Sequence, residues 1–179
     1  MRNATMRAAA IERFGGPLQM RELPLPLPGP GQVRIRIAAA AVNPTDLGMV
    51  EGRYRWREPV RFPLVPGWEL AGRVDAVGEG VTNFHVGDQV IAPTVHPLTQ
   101  AGSYAEYVVL PEKYLVPVPS ETEMTEVSGL PLRAAGGGET GACAFADAAD
   151  QRAPWLSGEL RCATGRATGH YGAGSHTCT

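Results

Sequence analysis

Three short strings carry side chains able to do chemistry: Asn43-Pro44-Thr45-Asp46, Gly52-Arg53-Tyr54 and Gly67-Trp68-Glu69. Between them they hold an amide, a hydroxyl, a phenol and two carboxylates. Amide, hydroxyl and phenol can each donate a hydrogen bond to a substrate oxygen. Asparagine is a poor zinc ligand and an indole has no lone pair to give. A catalytic zinc needs three protein donors, which these strings do not supply. Cys162, His170, His176 and Cys178 follow no recognised zinc spacing. No metal site is expected.

Gly136-x-Gly138-x-x-Gly141 formally satisfies a dinucleotide fingerprint, and Glu159 follows at a suitable distance for a ribose hydroxyl. The context is wrong. The preceding LPLRAA has neither the length nor the β-branched residues of a buried strand. The match is read as a product of glycine-rich composition, and no cofactor-binding residue is assigned.

The reactive strings must be positioned by strands. Val33, Ile35 and Ile37 alternate with Arg34 and Arg36, the period of a half-buried strand over residues 32–40. Residues 6–11, 18–23, 69–77, 89–92, 103–110 and 115–118 read as further strands, divided by glycine and proline punctuation. The connector PLPLPGPG cannot continue a central ladder, because proline lacks the amide donor. Gly87-Asp88 suits a turn whose carboxylate bonds nearby backbone. Residues 122–128 could form one or two helical turns capped by Thr122. Tyr104, Tyr107, Val108 and Leu110 are expected in the core or on the sheet surface, and His85 in solvent. Many short strands with glycine turns indicate a sandwich or barrel.

The 179 residues carry 16 basic and 18 acidic side chains. That balance argues against nucleic acid and anionic membranes as partners. No apolar run approaches the length of a bilayer span, and the first residues lack a secretory core. A soluble, cytoplasmic protein is the reading. Cys143, Cys162 and Cys178 are an odd set confined to the end of the chain, so no disulfide framework is expected.

Composition breaks near residue 132. Residues 133–179 contain 11 alanines and nine glycines, with no valine, isoleucine or lysine. Such a segment has no credible buried strand and is costly to order. A low-order tail is expected, with a short helix over 142–149.

The strings AAAAVNPTDLGMVEGRY (38–54), PLVPGWELAGRVDAVGEGVTNFHVGDQVI (63–91) and GSYAEYVVLPEKYLVPVP (102–119) resemble the N-terminal domain of the medium-chain dehydrogenase/reductase superfamily. The resemblance covers residues 6–131 and implies a mainly β fold: a GroES-like, partly open β-barrel with few short helices. Domain one is then 1–132, and 133–179 stands where the family continues into a Rossmann domain. The zinc branch places cysteine where Asn43 stands and histidine where Trp68 stands. The chain is therefore similar to the zinc-independent, quinone oxidoreductase-like branch, whose members reduce quinones, enones and related electrophiles with NADPH.

What the resemblance implies for the site follows residue by residue. Asn43, Thr45 and Tyr54 would polarise the acceptor oxygen. Asp46 would either share in catalysis or anchor its loop. Trp68 and Glu69 would border the substrate pocket, or Trp68 would fill space vacated by the metal. NADPH is expected for the intact family and none for this chain alone, since the nicotinamide sits between two domains. The chain is thus expected to be a truncated, inactive oxidoreductase, with apolar surface and a sheet edge left open. Alternatives are a non-catalytic binding module that pairs with a Rossmann-domain partner or with itself, and, last, a co-chaperonin. A reading-frame shift or an authentic new tail would each explain residues 133–179, and Met1 and Met6 are both possible starts.

Overall fold

The computed structural model describes residues 4–54, 59–94 and 96–135. The expected tail, its helix over 142–149, the glycine triple and all three cysteines lie outside the described residues. Seven strands are present: β1 (Thr5–Ala10), β2 (Gln19–Pro24), β3 (Gln32–Ala39), β4 (Glu69–Val77), β5 (Gln89–Pro93), β6 (Tyr107–Pro111) and β7 (Val116–Pro117). Four short helices accompany them: α1 (Pro44–Val50), α2 (His96–Thr99), α3 (Met124–Val127) and α4 (Leu130–Ala135). No helix among the described residues is long and apolar enough to cross a membrane.

The strands form two sheets. One is five-stranded in the order β6-β3-β4-β5-β7, and the other is the β1-β2 pair. Every pairing is antiparallel. Isolated bridges at Ala8–Ala105 and Ile11–Leu64 tie β1 to the rest, and the sheets do not close. This is the mainly β, partly open GroES-like fold that the sequence implied.

Alternation decides which face is core. Val33 and Ile35 of β3 are fully buried, as are Leu70 and Val74 of β4, Val90 and Ala92 of β5, and Val108 and Leu110 of β6. Arg34 points the other way and meets Asp75 at 2.6 Å. A second cluster joins Ile11, Met49, Leu64 and Trp68, and it seats α1 against the β1 bridge. Burial of such side chains contributes about 1.5–3 kcal/mol each.

Most boundaries shift by one residue, and two differ by more. Residues 103–106 do not extend β6, because Ser103 and Tyr104 give their amides to the carbonyls of Gly67 and Pro66. The residue entering α3 is Glu123, while the Thr122 amide closes a turn on Pro119 O.

Segments 65–67 and 102–104 meet backbone to backbone. A Cβ at Gly102 would lie 2.0 Å from Pro66 O and 2.2 Å from Val65 O. By contrast, Gly80 sits at φ +78° with open space around it. Gly102→Ala should therefore cost about 3 kcal/mol in chemical denaturation, and Gly80→Ala about 1 kcal/mol from backbone conformation alone. Equal losses in the two variants would show that the close approach is not what the glycine serves.

Candidate functional site

Asn43 to Tyr54 form a loop, a helix and a second loop. Pro44 opens α1, where a missing amide costs nothing. Asp46 reaches back to the Asn43 amide at 2.6 Å, the acidic half of a capping box. Gly52, at φ +76°, ends the helix: its amide bonds Met49 O, and Arg53 N bonds Gly48 O. That is a Schellman stop. The chain then turns so that the Tyr54 ring rests on Gly48, where a Cβ would come within 3.0 Å of its hydroxyl. Gly48 lies three residues after Thr45, so Thr45 and Tyr54 share one face of α1. The Thr45 hydroxyl is buried and has no hydrogen-bond partner among the described residues.

Asp46 is buried beneath α1. Its Oδ2 also accepts from the Tyr104 hydroxyl at 2.9 Å. Burial raises its carboxyl above the ordinary range, and bonds from Asn43, Tyr104 and the Gly67 amide pull it back. Burial and the Asp46 charge push the Tyr104 phenol far up, so it remains the donor. Tyr104, expected in the core or on the sheet surface, is half-buried against Ala8, Ala10 and Val65 and also tethers its segment to α1 through Asp46.

Glu69 opens β4 and is 0% exposed. Its Oε1 accepts from Asn43 Nδ2 at 2.9 Å, and its Oε2 accepts from Leu132 N at 2.7 Å. Burial raises its carboxyl; those two bonds lower it, Asp46 raises it further and Arg133 lowers it. Trp68 is packed edge-on against Tyr54 at 5.5 Å and against His96 at 5.3 Å, inside the apolar cluster with Met49.

These residues do not fit a zinc ion. The Asn43 amide turns its NH2 toward Glu69, both carboxylate oxygens are engaged, and an indole occupies the third position. No group of three or more His, Cys, Asp or Glu side chains suited to a metal occurs among the described residues.

The sequence reading passed over His96. Its Nε2 lies 2.8 Å from Gly67 O, the same carbonyl that accepts from Thr94 Oγ1 at 2.8 Å. A carbonyl can only accept, so Nε2 carries the proton. Nothing in the string around His96 signals this, because its partner lies 29 residues away. His85 is exposed, as expected, and Asp88 bonds its amide at 2.8 Å to close the turn.

Burial lowers His96 from 6.5 to about 4. The unfolded chain binds this proton below its ordinary pKa and the folded chain does not. Stability from His96 is therefore complete above about pH 6.5 and is lost as pH falls toward 4, by about 3 kcal/mol in all. Asp46 and Glu69, with raised carboxyls, act in the opposite sense in any variant that keeps them. His96→Gln should flatten this acid limb in urea titrations from pH 7 to pH 4, relative to the parent chain; an unchanged slope would remove His96 as the cause.

Comparison with known proteins adds the family. Residues 29–120 match the model of the alcohol dehydrogenase GroES-like domain. A chloroplast envelope quinone oxidoreductase homolog from Arabidopsis thaliana is 38% identical over 92 residues, which cover 51% of this chain and 27% of that protein. An NADPH-dependent alkenal/one oxidoreductase from the same plant is 36% identical over 97 residues, 52% of this chain and 25% of that protein. The crystal structure of an alcohol dehydrogenase superfamily protein from Novosphingobium aromaticivorans superimposes with a TM-score of 0.66 at 34% identity. That superposition covers 74% of this chain and 40% of the other. The chain thus spans between a quarter and two fifths of the length of these relatives. The open antiparallel sheet accords with these matches: the chain belongs to the family of the alcohol dehydrogenase GroES-like domain, the N-terminal domain of medium-chain dehydrogenases and reductases.

Proposed function

We propose that residues 1–132 form the acceptor side of a metal-free, NADPH-dependent reductase of quinones, enones or related carbonyl electrophiles. One observation carries the reading: the Thr45 hydroxyl is buried without a partner among the described residues, two residues from Asn43 and on the α1 face where Tyr54 rests. A buried polar atom left unpaired in a native fold calls for a ligand atom or an ordered water. Asn43, Thr45 and Tyr54 are neutral donors. Burial and the Asp46 charge raise the Tyr54 phenol, so it keeps its proton and donates.

An acceptor oxygen gains negative charge as the carbonyl or quinone is reduced. Fixed donors around it bind that charge more strongly than the neutral ground state, which is how such a site lowers a barrier. Asp46 acts here as an anchor, since its contacts are to the Asn43 amide and Tyr104 rather than to open space. Trp68 fills the place beneath the acceptor, and Glu69 holds Asn43. The names of the plant relatives support both the acceptor class and the cofactor.

NADPH, when bound, supplies the hydride. The described residues do not fit it. A dinucleotide fold is built on parallel strands with a glycine-rich turn entering a helix, and every described pairing is antiparallel. We assign the dinucleotide wall to another domain or polypeptide, so the 179-residue chain does not turn over alone.

The test uses this chain with NADPH and 1,4-naphthoquinone. In heteronuclear NMR, quinone should shift the amides of residues 43, 45–48 and 54, while NADPH shifts none and is oxidised no faster than in buffer. Asn43→Ala, Thr45→Val and Tyr54→Phe should each weaken quinone binding about three- to tenfold, the worth of one neutral hydrogen bond. Quinone shifts elsewhere, or none, would sink the acceptor assignment. NADPH turnover by the purified chain would sink the missing wall.

A further inference from the structure

The Glu69 carboxylate joins parts of the chain that do not otherwise meet in sequence. Asn43 lies 26 residues before it and Leu132 lies 63 residues after it. Asn43 caps α1, and Leu132 is the third residue of α4. The first amides of a helix have no partner within it, so Leu132 N needs an outside acceptor. Helices of seven and six residues do not persist unaided. One buried group, 0% exposed, therefore helps to seat both.

The same group decides how the Asn43 amide faces. An ionised carboxylate accepts and never donates. Asn43 must therefore keep its NH2 at Glu69: one N–H is committed to Oε1, and the second N–H of the same group is the donor left for the acceptor oxygen. The charged neighbours of Glu69 are Asp46 on the α1 side and Arg133 on α4.

We infer that Glu69 is a positioning residue that acts through Asn43, fixing which end of its amide meets the acceptor and tying that orientation to the seating of α4. This rests on the reading of Asn43 as an acceptor contact. A glutamine at 69 places an NH2 where one of the two carboxylate oxygens stood, so it cannot accept at both positions. One bond is lost outright, and through the coupling the other weakens with it.

The experiment compares the full chain with Asn43→Ala, Glu69→Gln and the double variant. Hydrogen exchange at Leu132 should accelerate about tenfold or more in Glu69→Gln, the loss of a bond to a charged acceptor. It should accelerate measurably in Asn43→Ala, which does not touch Leu132, and the double variant should exchange no faster than Glu69→Gln. In the parent chain, one Asn43 side-chain NH2 proton should resonate downfield and move to the free-amide position in Glu69→Gln. Unchanged Leu132 exchange in Asn43→Ala, or effects that simply add, would overturn the coupling. Should Glu69→Gln fail to fold, Asn43→Ala alone decides it through Leu132.

Quinone binding separates this inference from the acceptor reading. Glu69→Gln should weaken 1,4-naphthoquinone by as much as Asn43→Ala, with no further loss in the double variant. Normal quinone affinity in Glu69→Gln beside weakened affinity in Asn43→Ala would refute positioning. Absent quinone binding in the parent chain removes the acceptor reading, while the exchange data still decide the link between Asn43 and α4.

Discussion

Much of the described structure hangs on the backbone of Gly67. Its carbonyl accepts from Thr94, His96 and the Ser103 amide, and its own amide helps to hold Asp46. At φ +103°, with the Ser103 hydroxyl 2.2 Å from where a Cβ would stand, no other residue fits this point. Because β4 begins two residues later, the peptide that binds α2 and the 102–104 segment also sets where Trp68 and Glu69 emerge. Local strain there would reach the sheet, α1 and the aromatic cluster together.

Around that point, polar groups are buried in an unusual balance. Two carboxylates, Asp46 and Glu69, sit within the fold, and their direct bonds come from neutral donors: an amide side chain, a phenol and backbone amides. Ionised carboxylates out of water are costly unless their lone pairs are satisfied. Here several partners share each one, so removing a single donor would leave charge partly exposed to a low-dielectric surround. Such networks hold a loop in one geometry, which is what a site made only of hydrogen-bond donors requires.

The sheet was legible because its signal is local. Val33, Ile35 and Ile37 alternate with two arginines, and the structure buries the first set in β3. The turn at Gly87-Asp88 was equally plain, since Asp88 bonds backbone three residues back. α1 was not foreseen. PTDLGMV contains proline, glycine and β-branched residues, and it is helical because both ends are capped and Met49 is buried. Tyr104 and His96 escaped for a different reason. Their partners, Asp46 and Gly67, are 58 and 29 residues away, and no spacing rule reaches so far. Of the site, the residue types in the three strings were readable. Which of them face one another became visible only from the tertiary contacts.

One property of the sheet margins bears on how copies of the chain meet. Among the described residues the edge strands are β1, β2, β6 and β7; β1 is bridged on its outer side at Ala8–Ala105, and the other three each end in a proline: Pro24, Pro111 and Pro117. A residue without an amide hydrogen cannot extend a ladder, and β7 offers only two residues to begin one. A ladder added along β2, β6 or β7 would therefore stop at these prolines. Beside them, Val42 ahead of α1 and Leu47 on it stand 81% and 65% exposed.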